Sequence, residues 1–324
     1  MSSEALTFYG LEDLAPAYSH RFVPFAWAGT GAGNMGRLSV HVFGRRLPSN
    51  AVLSARPRRG TVLLLHGYLD HALVNGKTIR LLFAAGYDVL APDLPGHGLS
   101  DGEEAAIDDF ATYAEALRSV LVDPASNAPA TPATSATPTD SATPGSLFAV
   151  GHSAGAAAVL AYCNRYGCPF ASVVLVAPLV RTVGWRAIKV ALPLLRLISR
   201  RIFRRSGACS SDRDFVDFHK ADPRMAQTAS LEWSRAMLDW ESRLEEYTRF
   251  PDSAVVIQGT KDSVVARRHN LRFLQRKIPN LSVNLIQGGM HCLLNEREEL
   301  RVQVEEIILD GLTRDGLDVS PVSG

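Results

Sequence analysis

Cysteine is scarce in this 324-residue chain. The four residues present (Cys163, Cys168, Cys209 and Cys292) are too few for the disulfide framework of a small secreted domain, and their spacing matches no zinc pattern. They read as small buried hydrophobes. Net charge is nearly absent too: 34 Lys and Arg against 33 Asp and Glu leave a formal +1, so no global field draws the chain to nucleic acid, and none is expected as a partner. No run approaches the roughly 18 apolar residues of a membrane span. The opening MSSEALTFYGLEDL carries acids where a secretory leader has a basic region and an apolar stretch. The expectation is a soluble, cytoplasmic protein. HExxH-like spacing is missing, so neither metal nor organic cofactor is expected; His66, His71, His97 and His152 read as loop-stabilising hydrogen-bonding residues. A GxGxxG match from Gly31 to Gly36 runs into RLSVHVF, which alternates as a strand instead of opening a helix, and this excludes a dinucleotide loop.

What is present is apolar substance, 46% of residues. At roughly 150 residues per domain the length fits two domain-equivalents, or one large α/β domain with an insertion. Six nearly unbroken apolar runs read as strands covered on both faces: 61–66, 87–91, 147–151, 172–177, 254–258 and 282–286. Helical patterns lie at 73–85, 107–121, 154–166, 266–278 and 294–312. This alternation predicts an α/β fold with a mostly parallel central sheet and helices on both faces. Leu38, Val40, Val42 and Leu47, set among polar residues, predict an antiparallel edge. Two segments break the rhythm. Residues 123–146 hold 5 Pro, 6 Ala, 5 Thr and 4 Ser without an aliphatic anchor, and read as a mobile surface loop. The stretch 179–250 lacks strand signals and far exceeds the dozen or so residues a crossover needs, so it predicts an inserted helical cap. The expected division is 1–178 and 251–324 as the two parts of the sheet domain, with 179–250 as the cap.

Gly151-His152-Ser153-Ala154-Gly155 is a GxSxG match lying between a strand and a helix. That context makes Ser153 a candidate nucleophile, because such a serine stands on a strained strand-to-helix turn. A serine hydroxyl needs a base, and the base needs an acid to hold its tautomer. Asp262 follows strand 254–258, 109 residues after Ser153, and His291 follows strand 282–286, another 29 residues on. The strand before them runs into Pro178 and Leu179 and offers no carboxylate, while Asp252 stands at the wrong end of its strand. For the oxyanion, the amide of Ala154 at a helix N-terminus and that of Tyr68 in His66-Gly67-Tyr68-Leu69 are the candidate donors.

The segments HGYLDH, APDLPGHGLSDG, VGHSAG, IQGTKDSVV and GGMHCLLNE resemble the α/β-hydrolase superfamily, and within it the monoacylglycerol lipase/lysophospholipase-like branch, over roughly residues 60–312. The resemblance implies a triad of Ser153, His291 and Asp262, an oxyanion hole at Tyr68 and Ala154, and a helical lid over an acyl pocket. Glu104 departs from the pattern, standing where many members carry Arg. The expected activity is cleavage of medium or long acyl esters such as monoacylglycerols or lysophospholipids through an acyl-enzyme on Ser153. The same trio serves amidases, aminopeptidases and carbon–carbon bond hydrolases, and a hydrolase scaffold can also be a non-catalytic membrane-interacting protein. Between 180 and 211 lie Arg181, Arg186, Lys189, Arg196, Arg200, Arg201, Arg204 and Arg205 with no acid until Asp212, interleaved with apolar residues. A basic amphipathic surface of this kind fits either a cap helix with one core face and one solvated face or a peripheral contact with anionic membrane, and Pro193 is expected to break or kink its helix.

Overall fold

The computed structural model describes residues 3–27, 35–44, 59–123, 145–203 and 209–313. Leu47, most of the Ala/Pro/Thr-rich segment (124–144), and Arg204 and Arg205 lie outside the described residues.

Eight strands form one sheet: β1 (Tyr18–Ala26), β2 (Met35–Phe43), β3 (Thr61–Leu65), β4 (Asp88–Pro92), β5 (Leu147–His152), β6 (Ser172–Val176), β9 (Ser253–Gly259) and β10 (Asn280–Ile286). Between β6 and β9 the short strands β7 (Arg201–Phe203) and β8 (Thr228–Ser230) pair with each other in an antiparallel ribbon. The large sheet runs β1-β2-β4-β3-β5-β6-β9-β10. β1 and β2 are antiparallel along their length, with Tyr18 opposite Phe43, and β2 is antiparallel to β4; every later neighbour is parallel. The expected parallel sheet is thus present, and its antiparallel edge is two strands deep. Met35 and Gly36 open β2, so the GxGxxG match ends in a strand.

Helix α1 (Ser3–Phe8) precedes the sheet, and α2 (Gly76–Ala84), α3 (Ala111–Val122) and α4 (Ala154–Tyr166) connect its parallel strands. Helices α5 (Trp185–Ile198), α6 (Arg213–Ala221) and α7 (Leu231–Arg243) occupy the insertion, and α8 (Arg267–Lys277) and α9 (Glu298–Thr313) complete the chain. β3 explains why its sequence is unbroken TVLLL. Leu63 and Leu65 enter the layer of α3, α4 and α8, while Val62 and Leu64 enter that of α2 and α9. A strand covered on both faces has no position for a polar side chain. Each such Leu or Val contributes about 1.5–3 kcal/mol on burial, which makes β3 and β5 a firm base for the loops at their ends. The order β4-β3-β5 means that the chain leaves β3 first to one side and then returns to the other. The crevice outside the carboxyl ends of β3 and β5 is therefore the topological switch point where ligands bind in open α/β sheets.

One expectation for the insertion needs correction, and of the two alternatives for Pro193 the structure removes the break. The insertion contains the β7–β8 ribbon in addition to helices; strands of three residues are too short to print a period of two. Helix α5 also runs through Pro193. That residue and Lys189 both face solvent, where water can satisfy the Lys189 carbonyl that proline leaves without a donor.

Candidate active site

Ser153 occupies the single-residue turn between β5 and α4, with φ 53° and ψ −111°, a conformation that an L-residue adopts only under strain. The flanking glycines are there for space. A β-carbon on Gly155 would lie 2.6 Å from the Leu65 carbonyl oxygen, and one on Gly151 would lie 2.8 Å from the Ala156 α-carbon. The turn is held by its own backbone, since the Ser153 amide donates to the Val176 carbonyl at 2.9 Å. Alanines at 154, 156, 157, 158 and 161 favour helix and let α4 lie close on the sheet.

The structure brings Ser153, Asp262 and His291 together from the ends of β5, β9 and β10. His291 Nε2 is 3.0 Å from Ser153 Oγ, and its Nδ1 is 2.9 Å from Asp262 Oδ2. A carboxylate only accepts, so Nδ1 carries the proton and Nε2 is left to accept from the serine hydroxyl. Asp262 is fixed by three further donors: Gln258 Nε2 at 2.9 Å and the amides of Val264 and Val265 at 2.8 and 3.1 Å. Burial pushes the Asp262 carboxyl up, but the His291 bond and charge and the two amides outweigh it, so its pKa lies below the ordinary carboxylate value.

The loop after β3 is shaped by histidines. His66 Nε2 accepts from the Leu94 amide at 2.8 Å and its Nδ1 donates to the Gly67 carbonyl at 2.8 Å; burial pushes it down to about 3, so it stays neutral. His152, pushed down to about 4 by burial and by the neighbouring His291, donates from Nε2 to the His291 carbonyl at 3.0 Å. These two rings fix the loops that carry Tyr68 and His291. Among the described residues neither the Tyr68 nor the Ala154 amide donates to a protein acceptor, as two donors kept for an oxyanion would require. No group of three metal-ligating side chains occurs among the described residues.

Ser153 and His291 open into a cavity of about 370 Å³, roofed by Ile202, Phe203, Ala229 and Trp233 of the insertion. Several contacts tie the insertion to the sheet domain close to this cavity. Tyr68 stacks on Trp233 with ring centroids 3.7 Å apart and accepts from the Ser230 amide at 2.9 Å. His219 Nε2 meets Asp70 Oδ1 at 2.8 Å, and His71 Nε2 meets Asp222 Oδ2 at 2.8 Å. Arg201 pairs with Glu103 at 3.0 Å and Glu104 at 3.2 Å.

The model of the Hydrolase_4 family, described as Serine aminopeptidase, S33, matches residues 56–298. The chain belongs to this family. A monoacylglycerol lipase of Mycolicibacterium smegmatis is 28% identical over 265 residues, covering 79% of this chain and 87% of that protein. The human monoglyceride lipase is 23% identical, covering 75% and 78%. Among solved structures, Paleococcus ferrophilus monoacylglycerol lipase aligns at a TM-score of 0.64 with 22% identity over 79% of this chain and 95% of its own. A soluble variant of Saccharomyces cerevisiae monoglyceride lipase aligns at 0.66 with 18% identity over 90% and 95%. These likenesses share the α/β-hydrolase fold described above.

Within this family member, the residues that the sequence reading did not single out are the supporting ones. Gln258 lies inside IQGTKD and had a local signal, a polar residue in an apolar strand ending beside Asp262. Asp70, His219, Asp222 and Trp233 had none, since their partners lie 149, 151 and more than 160 positions away. The cation cluster also changes character. Arg181 and Lys189 meet Glu241, Arg196 meets Glu232, and Arg201 meets Glu103 and Glu104. Acids from elsewhere in the chain thus compensate half of the eight cations; Arg186 and Arg200 have no ion pair among the described residues.

Proposed function

We propose that this chain is a serine hydrolase of carboxylic esters, with monoacylglycerols and lysophospholipids as its substrate class. In this reading Ser153 attacks the ester carbonyl, His291 takes and returns the proton, Asp262 holds the His291 tautomer, and the Tyr68 and Ala154 amides receive the oxyanion. Water then releases the acyl group. The observation that carries the reading is the unbroken relay from Asp262 through His291 to Ser153, opening into an apolar-roofed cavity. The names of the relatives support the ester class. The family's description as an aminopeptidase keeps an amide substrate as the second reading. The test is fluorophosphonate labelling together with turnover of monoacylglycerol, lysophospholipid and aminoacyl-arylamide substrates. Ser153→Ala is expected to abolish labelling and to lower ester turnover by several orders of magnitude without loss of fold. A folded Ser153→Ala protein keeping more than a few per cent of activity rules the assignment out, and faster arylamide cleavage selects the second reading.

Residues 179–250 act in this proposal as a cap that meets the lipid surface where such substrates reside. Support comes from α5, where Leu197 and Ile198 are 84% and 85% exposed beside the exposed Val190 and Leu194. An apolar patch of this kind flanked by Arg186 and Arg200 fits a peripheral protein that enters the headgroup region of an anionic membrane from the cytoplasm. No helix among the described residues is long and apolar enough to cross a membrane. Replacing Leu194, Leu197 and Ile198 with Ser is expected to reduce sedimentation with phosphatidylglycerol vesicles at least tenfold. Turnover of a small soluble ester should stay within about twofold, since the triad stands on the sheet. Vesicle binding unchanged by the triple substitution would remove the lipid-facing role.

A further inference from the structure

Two thiols stand beside the proposed triad with no part in it. Cys292 directly follows His291 on the sheet side, and Cys209 lies in the insertion just before α6. The Cys292 amide donates to the Cys209 carbonyl at 2.7 Å. A backbone bond of this kind holds the two segments side by side, the approach that a disulfide between them requires. Both residues line the cavity that holds Ser153 and His291, and Cys209 packs against an apolar cluster made of Cys292, Val74, Phe215 and Met225. No disulfide joins them in this structure. One thiol therefore belongs to the roof of the cavity and the other to the loop of the base, on neighbouring segments joined by a backbone hydrogen bond.

We propose that Cys209 and Cys292 form a redox-sensitive dithiol, a modification site for low-molecular-weight disulfides, whose cross-link ties the cap to the His291 loop and holds the cavity shut. Cys209, half-buried, is the more accessible of the two, and Cys292 is 7% exposed. The Cys209 thiolate attacks a small disulfide RSSR, forming a mixed disulfide and releasing RS⁻. The Cys292 thiolate then attacks the Cys209 sulfur and expels the second RS⁻, which leaves as thiol after taking up the proton. Two protein thiols are oxidised and one external disulfide is reduced to two thiols, so electrons and atoms balance. Closure opposes turnover because the roof residues Ile202, Phe203 and Trp233 must separate from the sheet side to admit a long acyl chain, and the link prevents this.

The experiment treats the full chain with 2-hydroxyethyl disulfide, alkylates remaining thiols, and maps peptides with and without reductant. The expected result is a peptide pair joined through Cys209 and Cys292, at least tenfold slower fluorophosphonate labelling of Ser153, a matching loss of ester turnover, and recovery of both rates with dithiothreitol. In Cys209→Ser and Cys292→Ser the ratio of rates after and before oxidation should approach one; if either variant does not fold, the mapping and rates of the wild type decide alone. Cross-linking confined to Cys163 and Cys168, absence of the joined pair, or a joined pair with unchanged labelling would overturn the proposal. Its effect on turnover rests on the serine-hydrolase reading. The cross-link is detected by mass alone, so a reduced chain without ester turnover would remove that reading, while presence or absence of the joined peptides would still decide whether the dithiol forms.

Discussion

At Asp262, burial and hydrogen bonding pull in opposite directions, and the bonds win. The carboxyl is desolvated, yet His291 and the Val264 and Val265 amides hold it ionised below the ordinary value. Because the folded-state pKa lies below the unfolded value of about 3.9, the charged carboxylate stabilises the fold above that pH. The contribution fades as pH falls through the folded value. Asp262→Asn keeps the shape and the Gln258 contact region but offers His291 the wrong tautomer. Turnover is expected to drop about 10³–10⁴-fold. In urea unfolding, the stability gap between wild type and Asp262→Asn should narrow from pH 7 to pH 3; a gap that widens on acidification would mean the carboxylate is not held ionised. The trio itself was readable from the sequence because each member sits within a few residues of a strand end, where local pattern speaks. Asp70 and His219 were not, since their meeting is set by how the insertion folds back over the sheet.

Among elements, β7 shows what local pattern omits. Three residues cannot display an alternation, and two of them, Ile202 and Phe203, look from the sequence like the apolar stripe of a helix. The contact that anchors the ribbon also accounts for Glu104, the residue that departs from the family pattern: its carboxylate accepts from Arg201 and from the Thr228 hydroxyl, both at 3.2 Å. An arginine at this position would face Arg201. Exposed pairs are worth at most about 1 kcal/mol, so Glu104→Arg is expected to lower the melting temperature by only a few degrees, while proteolysis in the cap speeds up measurably. The double variant Glu104→Arg with Arg201→Glu should recover most of both effects. If it is no better than the sum of the single changes, the pair does not act as a latch. By contrast, the inner parallel strands β3, β4, β5, β6 and β9 were readable because they are covered on both faces, and such burial leaves few polar residues to blur the run, while the edge strand β10 is only partly covered. Their helices began up to four residues later than the pattern where short 3₁₀ turns, Ala72–Asn75 and Leu293–Asn295, take up the first apolar residues.

For the molecule as a whole, the expectation of an inserted cap rests on arithmetic alone: some 70 residues separate two strands that a dozen could connect. Composition likewise guides the expectation for 124–144, which has no aromatic or larger aliphatic side chain to bury. Replacing these residues with a short Gly/Ser linker, while keeping Asp123 for its 2.7 Å bond to Arg21, is expected to leave the melting temperature within about two degrees. Loop-closure entropy changes slowly with length. A fall of ten degrees would mean that the segment packs. The order of the sheet carries a further consequence, for synthesis. Ser153 and the Tyr68 and Ala154 amides leave the ribosome before the insertion, whereas Asp262 and His291 follow it. At about 5–20 residues per second the nascent chain spends many seconds with its serine in place and no base beside it. In the proposed mechanism the hydroxyl gains its base only when β9 and β10 dock, after the roof of the cavity has been made, so an unfinished chain carries a serine that has not been activated.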